Sequence, residues 1–187
     1  MYIETEFTPN HNALKFLPGQ EVSPEGTKFF DNIESSHASG LATQLFSIEG
    51  VKAVFFGSDF ITITKQEDTE WALIKPEILM IIVGYLDSRL PIYRKDNSEN
   101  LDAQNIMYDN LSGLEKQITE ILDTYIRPSV AADGGDIIFI AFENGIVKLK
   151  LQGACSGCPS STITLKNGIE GMLKQYIPEV LGVEEVF

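Results

Sequence analysis

The sequence has few cysteines and histidines, the thiol and imidazole ligands of transition metals. It contains 2 cysteines and 2 histidines in 187 residues, and both cysteines, Cys155 and Cys158, lie in one short stretch, GACSGCPSST (153–162). They cannot form the disulfide framework of a small secreted domain, because a bridge between them would close too small a loop to stabilise much. The pair therefore indicates a metal-binding or redox-active site in a reducing compartment.

Basic residues are also scarce. There are 14 lysines and arginines against 27 aspartates and glutamates, which gives a net charge of −13. So acidic a protein repels the phosphate backbone of nucleic acids and the surface of anionic lipids. We therefore expect neither nucleic acid nor membrane as a partner, and we expect protein partners with basic patches.

We see neither a long hydrophobic run nor a targeting segment in the sequence. The longest apolar stretch, ILMIIVGYL (78–86), is far shorter than the ~20 residues that a membrane span needs. The first residues, MYIETEFTPN, contain two acids and neither a basic region nor an apolar core of a signal peptide. We expect a cytoplasmic protein, although the mature form of an organelle-matrix protein would look similar.

One polar segment divides the chain. RLPIYRKDNSENLDAQNIMYDN (89–110) is rich in asparagine and has no sustained hydrophobic period, which is typical of a linker. We assign residues 1–88 to an N-terminal domain, 89–109 to a flexible linker and 110–187 to a C-terminal domain. Residues 1–88 carry 13 acids against 5 bases, so the N-terminal domain has a net charge of −8.

The C-terminal domain has clear local signals. Helical spacing of apolar residues begins at Leu111, and Pro128 is expected to end or kink that helix. After the turn DGGD, two β-rich runs flank Asn144–Gly145, which predicts a tight hairpin. Pro159 suits the first turn of a second helix, and LGVEEVF (181–187) predicts a closing strand.

The N-terminal domain reads as a mixture of strands and short helices. The patterns predict strands over 2–7 and 13–19, a short helix over 41–48, a hairpin over 51–65, and a buried helix that Pro76 opens. We therefore predict an α+β protein made of two small two-layer α/β domains joined by a flexible linker.

The cysteines are expected to lie in a loop between a strand and a helix. The strand ends near Gly153 and the helix begins near Pro159, so the thiols lie close to a helix N-terminus, where a thiolate is stabilised. We expect this loop to face solvent. Replacing either cysteine by serine should then abolish metal binding and leave the fold intact.

Two thiolates make half of a four-ligand site. His11 and His37 lie in the other domain and are interpreted as surface histidines. A second copy of the chain, related by a twofold axis, would supply four thiolates, which suit a 4Fe–4S or 2Fe–2S cluster, or zinc. A dithiol redox protein and a zinc-bridged homodimeric interaction module are the alternatives. The sequence shows no pairing of a nucleophile with a base, so we do not expect an enzyme.

Two pairs of segments resemble a known family. IRPSVAADGGDIIF (126–139) and GACSGCPSSTITLKNGIEGML (153–173) resemble the C-terminal domain of the NifU family. TPNHNALKFLPG (8–19) and GVKAVFFGSDFITITK (50–65) resemble the N-terminal domain of Nfu-type iron–sulfur cluster proteins. The resemblance covers both domains in the family's order.

The resemblance implies a non-enzymatic carrier that assembles a 4Fe–4S cluster between two protomers. Cys155 and Cys158 correspond to the family's cluster ligands, and 2Fe–2S or zinc is the less favoured content. The implied partners are upstream cluster assembly proteins and apo iron–sulfur acceptor proteins, with the carrier a homodimer when cluster-bound. A cluster held by two bonds from each chain can leave when the protomers separate, which suits transfer.

Overall fold

The computed structural model describes residues 2–24, 26–94, 112–156 and 159–186. It divides into two compact units, Met1–Ser98 and Glu99–Phe187. Each unit combines helices with one sheet, which confirms the predicted α+β class. Because residues 95–111 lie outside the described ranges, the boundaries 1–88, 89–109 and 110–187 stay a prediction.

The N-terminal unit is built on one antiparallel sheet. Its strands are β1 (Glu4–Phe7), β2 (Ala13–Leu17), β3 (Lys28–Phe30), β4 (Val51–Phe56) and β5 (Ile61–Lys65). Their order across the sheet is β1-β2-β5-β4-β3. The predicted strands and the hairpin β4–β5 are confirmed. Strand β3 was not anticipated, since three residues are too few to display an alternating pattern.

Helices cover one face of this sheet. They are α1 (Ile33–Ser36), α2 (Gly40–Phe46) and α3 (Trp71–Asp87). Alternate residues of the strands point toward them and form an apolar core, which includes Leu14, Phe16, Leu41, Leu45, Val54, Phe56, Ile61, Ile63, Ile74, Ile78 and Ile82.

The expectation that Pro76 opens a helix is wrong. Helix α3 begins five residues earlier, at Trp71, and Pro76 lies inside it. The Trp71 indole N–H donates to the His11 carbonyl at 3.2 Å, and the Lys75 ammonium donates to the Thr5 hydroxyl at 2.9 Å. These tertiary contacts hold the first turn of the helix, so they outweigh the preference of proline for a helix start.

Residues 91–94 extend the N-terminal unit beyond α3. The Ser39 hydroxyl donates to the Ile92 carbonyl at 2.6 Å, and Ser39 also forms a β-bridge with Tyr93. The Tyr93 ring meets Phe56 edge-on, with 6.3 Å between the ring centroids. The first part of the sequence segment assigned to the linker is therefore fastened to this unit.

The C-terminal unit follows the predicted order of elements. A helical stretch consists of α4 (Gly113–Ile121), a π-helical turn (Leu122–Ile126) and α5 (Arg127–Ala132). Strands β6 (Gly135–Glu143) and β7 (Ile146–Gly153) form the hairpin, followed by α6 (Pro159–Tyr176) and β8 (Gly182–Glu185). The sheet order is β6-β7-β8, with β8 parallel to β7. The π-helical turn ends two residues before Pro128, which removes a helical N–H donor.

The predicted hairpin is confirmed in detail. Asn144 and Gly145 both have positive φ, 52° and 81°, as a type I′ turn requires. Along β7, Val147, Leu149 and Leu151 are buried and alternate with half-buried residues. The core of the unit joins these strands to the helices through Ile118, Leu122, Ile126, Ile137, Phe139, Ile169, Leu173 and Ile177. In the described part of the chain, no helix has the length and apolarity needed to cross a membrane.

Candidate metal-binding site

Cys155 lies in the turn 154–156, directly after β7 and four residues before the start of α6. Its side chain belongs to the apolar core of the C-terminal unit and its residue is 6% exposed. The expectation that the cysteine loop faces solvent is therefore wrong for Cys155. Cys158 lies outside the described residues, so its place in the site stays a prediction.

A second turn lies beside the cysteine turn. Gly134 and Gly153 both have positive φ, 82° and 67°, and the Ala154 N–H donates to the Gly134 carbonyl at 3.1 Å. Gly135 is the partner of Gly153 in the β6–β7 ladder. The DGGD turn and the cysteine turn are thus hydrogen-bonded to each other at one end of the hairpin. The backbone turns sharply in both segments.

Gly135 makes room for the thiol of Cys155. A Cβ atom at position 135 would lie 2.7 Å from the Cys155 Sγ and 2.6 Å from the Gln152 carbonyl oxygen. Cβ atoms do not approach other atoms so closely, so any side chain at this position would displace the sulfur or the strand. Sequence reasoning placed Gly135 in the DGGD turn as a glycine that could take positive φ. Gly135 instead begins strand β6, where a glycine often marks such a close approach.

An ion-pair network fixes the start of β6 next to Gly135. The Arg127 Nε lies 3.1 Å from Asp136 Oδ1, and its Nη2 donates to the Ile137 carbonyl at 2.9 Å. The same Asp136 oxygen accepts the Ile137 N–H at 2.7 Å, and Asp136 is 6% exposed. The buried carboxylate is thus charge-paired and hydrogen-bonded, as burial of a charge requires.

A second carboxylate completes this network. Asp123 Oδ1 lies 2.8 Å from the Arg127 Nη1, one helical turn away. Burial raises the pKa of Asp123, Arg127 lowers that pKa, and the Asp136 carboxylate adds to the rise. Sequence reasoning missed all three residues. The contact of Arg127 with Asp136 joins a helix to a strand nine residues later and leaves no periodic pattern, whereas the i, i+4 spacing of Asp123 and Arg127 is a signal that could have found that pair.

Neither histidine belongs to the unit that contains Cys155. His11 and His37 are exposed in the N-terminal unit, as interpreted from the sequence. Across residues 2–24, 26–94, 112–156 and 159–186, no three His, Cys, Asp or Glu side chains are grouped closely enough to hold a metal ion. The donor that the structure places at the turn is the Cys155 thiol, and a thiolate is a soft ligand that suits zinc and iron–sulfur clusters.

Two family models match the chain. "Scaffold protein Nfu/NifU N terminal" matches residues 3–89, and "NifU-like domain" matches residues 118–184. The two matches fall on the two units separately, and the second contains Cys155 and its surroundings.

Curated relatives match over the whole chain. "NFU1 iron-sulfur cluster scaffold homolog, mitochondrial" of Drosophila persimilis is 53% identical over 188 residues, and the protein of the same name from Drosophila ananassae is also 53% identical. The match covers 100% of this chain but 66% and 65% of those relatives. This chain therefore spans about two thirds of their length.

Solved structures match parts of the chain. The solution structure of a NifU-like protein from Saccharomyces cerevisiae is 32% identical, with a TM-score of 0.47, and the match covers 51% of this chain and 87% of that one. The crystal structure of protein SAV1430 from Staphylococcus aureus is 24% identical, with a TM-score of 0.40, over 44% of this chain and 99% of that one.

Proposed function

Because the chain belongs to the Nfu/NifU scaffold family and carries both of its domains, we propose that it is an iron–sulfur cluster scaffold and carrier. Two copies of the chain bind one 4Fe–4S cluster through Cys155 and Cys158 of each copy. The loaded dimer then passes the cluster to apo iron–sulfur proteins after receiving it from upstream assembly proteins. The chain acts as a carrier and not as an enzyme.

One observation carries the proposal. Within the NifU-like match, the chain brings a thiol to the end of a hairpin and reserves the adjacent space with Gly135, which lacks the side chain that would occupy it. The curated relatives are named as iron–sulfur cluster scaffolds. Cysteine thiolates are the usual protein ligands of iron–sulfur clusters, so a thiol held in a fixed place at this turn fits a cluster as cargo.

The cysteines of the two chains bind the cluster and determine how it is released. Each chain contributes two thiols, which lose their protons when they bind iron. Burial of Cys155 fixes one ligand against the core, and separation of the protomers leaves the cluster with half of its protein ligands. Thiolates of an acceptor can then replace those of the carrier one at a time.

The 6% exposure of Cys155 limits access to its thiol for thiol–disulfide exchange and for cluster binding alike, so it does not separate these two functions. The names of the curated relatives place those proteins in mitochondria. We therefore propose the organelle matrix as the location of this protein, in preference to the cytoplasm.

Anaerobic reconstitution tests the function. The full chain is incubated with iron, sulfide and thiol reductant, and its visible absorbance, iron content and native mass are measured. We expect a brown dimer with about four irons per two chains. The variants C155A and C158A should stay colourless, and His37→Ala, which changes an exposed residue of the other unit, should load normally.

The alternatives give other results in the same experiment. A colourless dimer that retains zinc would support the interaction module. A metal-free protein that cycles between dithiol and disulfide would support the redox protein. Either result would overturn the cluster proposal.

A further inference from the structure

An apolar surface on the N-terminal unit has no role in the proposed cluster site. Leu73 and Met80 on α3 are 75% and 69% exposed, and Phe7 at the end of β1 is 92% exposed. Leu73 and Met80 lie two turns apart on one face of α3, opposite the side that Ile74, Ile78 and Ile82 bury in the core. Single exposed apolar residues are common, but a set with helical spacing is not.

Phe7 belongs to the same surface as the helix. Thr5, two residues before Phe7 and on the same side of β1, accepts a hydrogen bond from Lys75. His11, four residues after Phe7, accepts one from Trp71. Phe7 therefore lies beside the first turns of α3. We call Phe7, Leu73 and Met80, together with the exposed Ala72 and Pro76, the α3–β1 surface.

The charges around the α3–β1 surface are negative. On α3 and its N-cap, the exposed charged residues that flank this face are Glu77 and Glu70, both acidic, and the ammonium of Lys75 is bonded to Thr5. Pro76 also supplies no N–H to the Ala72 carbonyl, so that exposed carbonyl lacks its usual helical donor. The border thus favours a partner that carries cationic donors, and it disfavours a second copy of this chain, which would bring acid against acid.

We propose that the α3–β1 surface binds an amphipathic helix of a partner protein. The apolar face of that helix packs on Leu73, Met80 and Phe7, and the lysines or arginines beside this face pair with the acidic border. This docking is independent of the cluster and lies in the other unit from Cys155. It would give the N-terminal unit a task of its own in selecting a protein partner.

A synthetic peptide tests the docking. The probe forms an amphipathic helix with leucine on one face and lysine on the rest, and its control has the same composition in an order that destroys the apolar face. Each is titrated into the isotope-labelled, cluster-free full chain, and amide NMR shifts are followed. The helical peptide should shift signals of α3 and β1. The double variant L73S/M80S should bind it at least roughly tenfold more weakly.

The matched control for that double variant is Leu90→Ser, which makes the same chemical change at another exposed residue of the same unit. It should leave peptide affinity unchanged. Glu77→Lys gives an independent test, since it reverses a border charge: it should weaken binding of the lysine peptide and favour the same helix made with glutamate.

Three results would each overturn the proposal. The first is that the scrambled peptide binds as tightly as the helical one, because binding would then be a general charge effect. The second is that shifts spread outside α3 and β1. The third is that L73S/M80S and Glu77→Lys both leave the affinity as it was. Since the cluster is not needed, none of these results bears on the cluster-carrier function.

Discussion

The position of the Cys155 thiol depends on the absence of a Cβ atom at Gly135. Gly135 occupies the first position of β6, and the missing Cβ is the space in which the sulfur lies. The ion pairs of Arg127 with Asp123 and Asp136 then keep this strand end from moving away. Placement of this thiol thus depends on Gly135, Arg127, Asp123 and Asp136 together.

Gly135→Ala should therefore disturb the site at its centre. The new methyl group would lie 2.7 Å from the Cys155 sulfur, so the sulfur or the strand must move. We expect the C-terminal unit to lose roughly 2 kcal/mol of stability and the reconstituted protein to hold less iron. Urea unfolding followed by NMR signals of that unit, with iron analysis, measures both.

Gly171→Ala is the matched control, because a Cβ at this position of α6 meets nothing within 4 Å. It should leave iron binding unchanged and stabilise the helix by up to about 1 kcal/mol. Equal iron content in G135A and G171A would contradict the role given to Gly135.

Sequence reasoning correctly placed Cys155 in a turn between a strand and a helix, but it did not predict that the residue is buried. The strand and helix signals on either side fix the turn between them, so its position could be predicted from local patterns. Its burial could not, because it results from contact with Gly135, twenty positions earlier in the chain. The spacing of two cysteines likewise carries no information about the Arg127 network.

At the scale of elements, helix α4 begins with reciprocal capping. The Ser112 hydroxyl accepts the Glu115 N–H, and the Ser112 N–H donates to the Glu115 carboxylate at 2.8 Å. These bonds lower the pKa of Glu115, the backbone bond first and the hydroxyl contact next. The carboxylate form is therefore the one that the folded helix prefers.

Ser112→Ala should destabilise the C-terminal unit by about 1 kcal/mol at neutral pH. Because the pKa of Glu115 is lowered in the folded state, the capping contribution is present above its ordinary pKa and is lost as pH falls through the lowered one. Ser112→Ala removes only the hydroxyl contacts and keeps the Ser112 N–H bond to the Glu115 carboxylate, so its difference from the unmodified protein should shrink only slightly in acid. Urea midpoints measured across that range check this, and a penalty that grows in acid would contradict it.

Residues 91–94, which we call the strap, pack against the N-terminal unit. Tyr93 joins Phe56 in an edge-on ring contact and donates its hydroxyl to Ser23 at 2.5 Å. Tyr93→Ala should cost the N-terminal unit roughly 2 kcal/mol. Fluorescence of the single tryptophan, Trp71, reports unfolding of this unit alone.

The control is Leu90→Ala, at a residue that is 55% exposed. It should change the free energy of unfolding of the N-terminal unit by less than about 0.5 kcal/mol. If Tyr93→Ala behaved like Leu90→Ala, the strap would add nothing to the fold.

The elements that could be predicted share a strong local signal. The β6–β7 hairpin has its Asn144–Gly145 turn and an alternating strand, and both are present in the structure. Strand β3, the start of α3 before Pro76 and the strap depend instead on partners far away in sequence. Hydrogen bonds such as Lys75 to Thr5 are decisive there, and no window of neighbouring residues contains them.

At the scale of the whole molecule, the two units divide the proposed work. The C-terminal unit holds the cysteine turn, and the acidic N-terminal unit holds the α3–β1 surface. We call it the half-site hypothesis that each chain supplies two of the four cluster ligands. No single chain then holds the complete ligand set. Cluster binding must then depend on which chains associate, and this can be tested with unequal pairs.

The decisive pairing mixes the single variants C155A and C158A. Each mixed dimer has two thiols in total, one from each chain, so it should fail to hold a stable cluster, as each variant does alone. A tagged wild-type chain paired with the double variant should fail for the same reason. Isolation of the tagged pairs after anaerobic reconstitution, followed by iron analysis and native mass, gives the result.

The control is the tagged wild-type chain paired with untagged wild-type chain, which should hold about four irons per dimer. Dilution of this holo-dimer should speed cluster loss, because dissociation of the protomers removes half of the ligands and association depends on concentration. A wild-type chain that keeps a stable cluster as a monomer, or beside the double variant, would show that the half-site hypothesis is wrong. Cluster loss independent of concentration would mean that release does not need the protomers to separate.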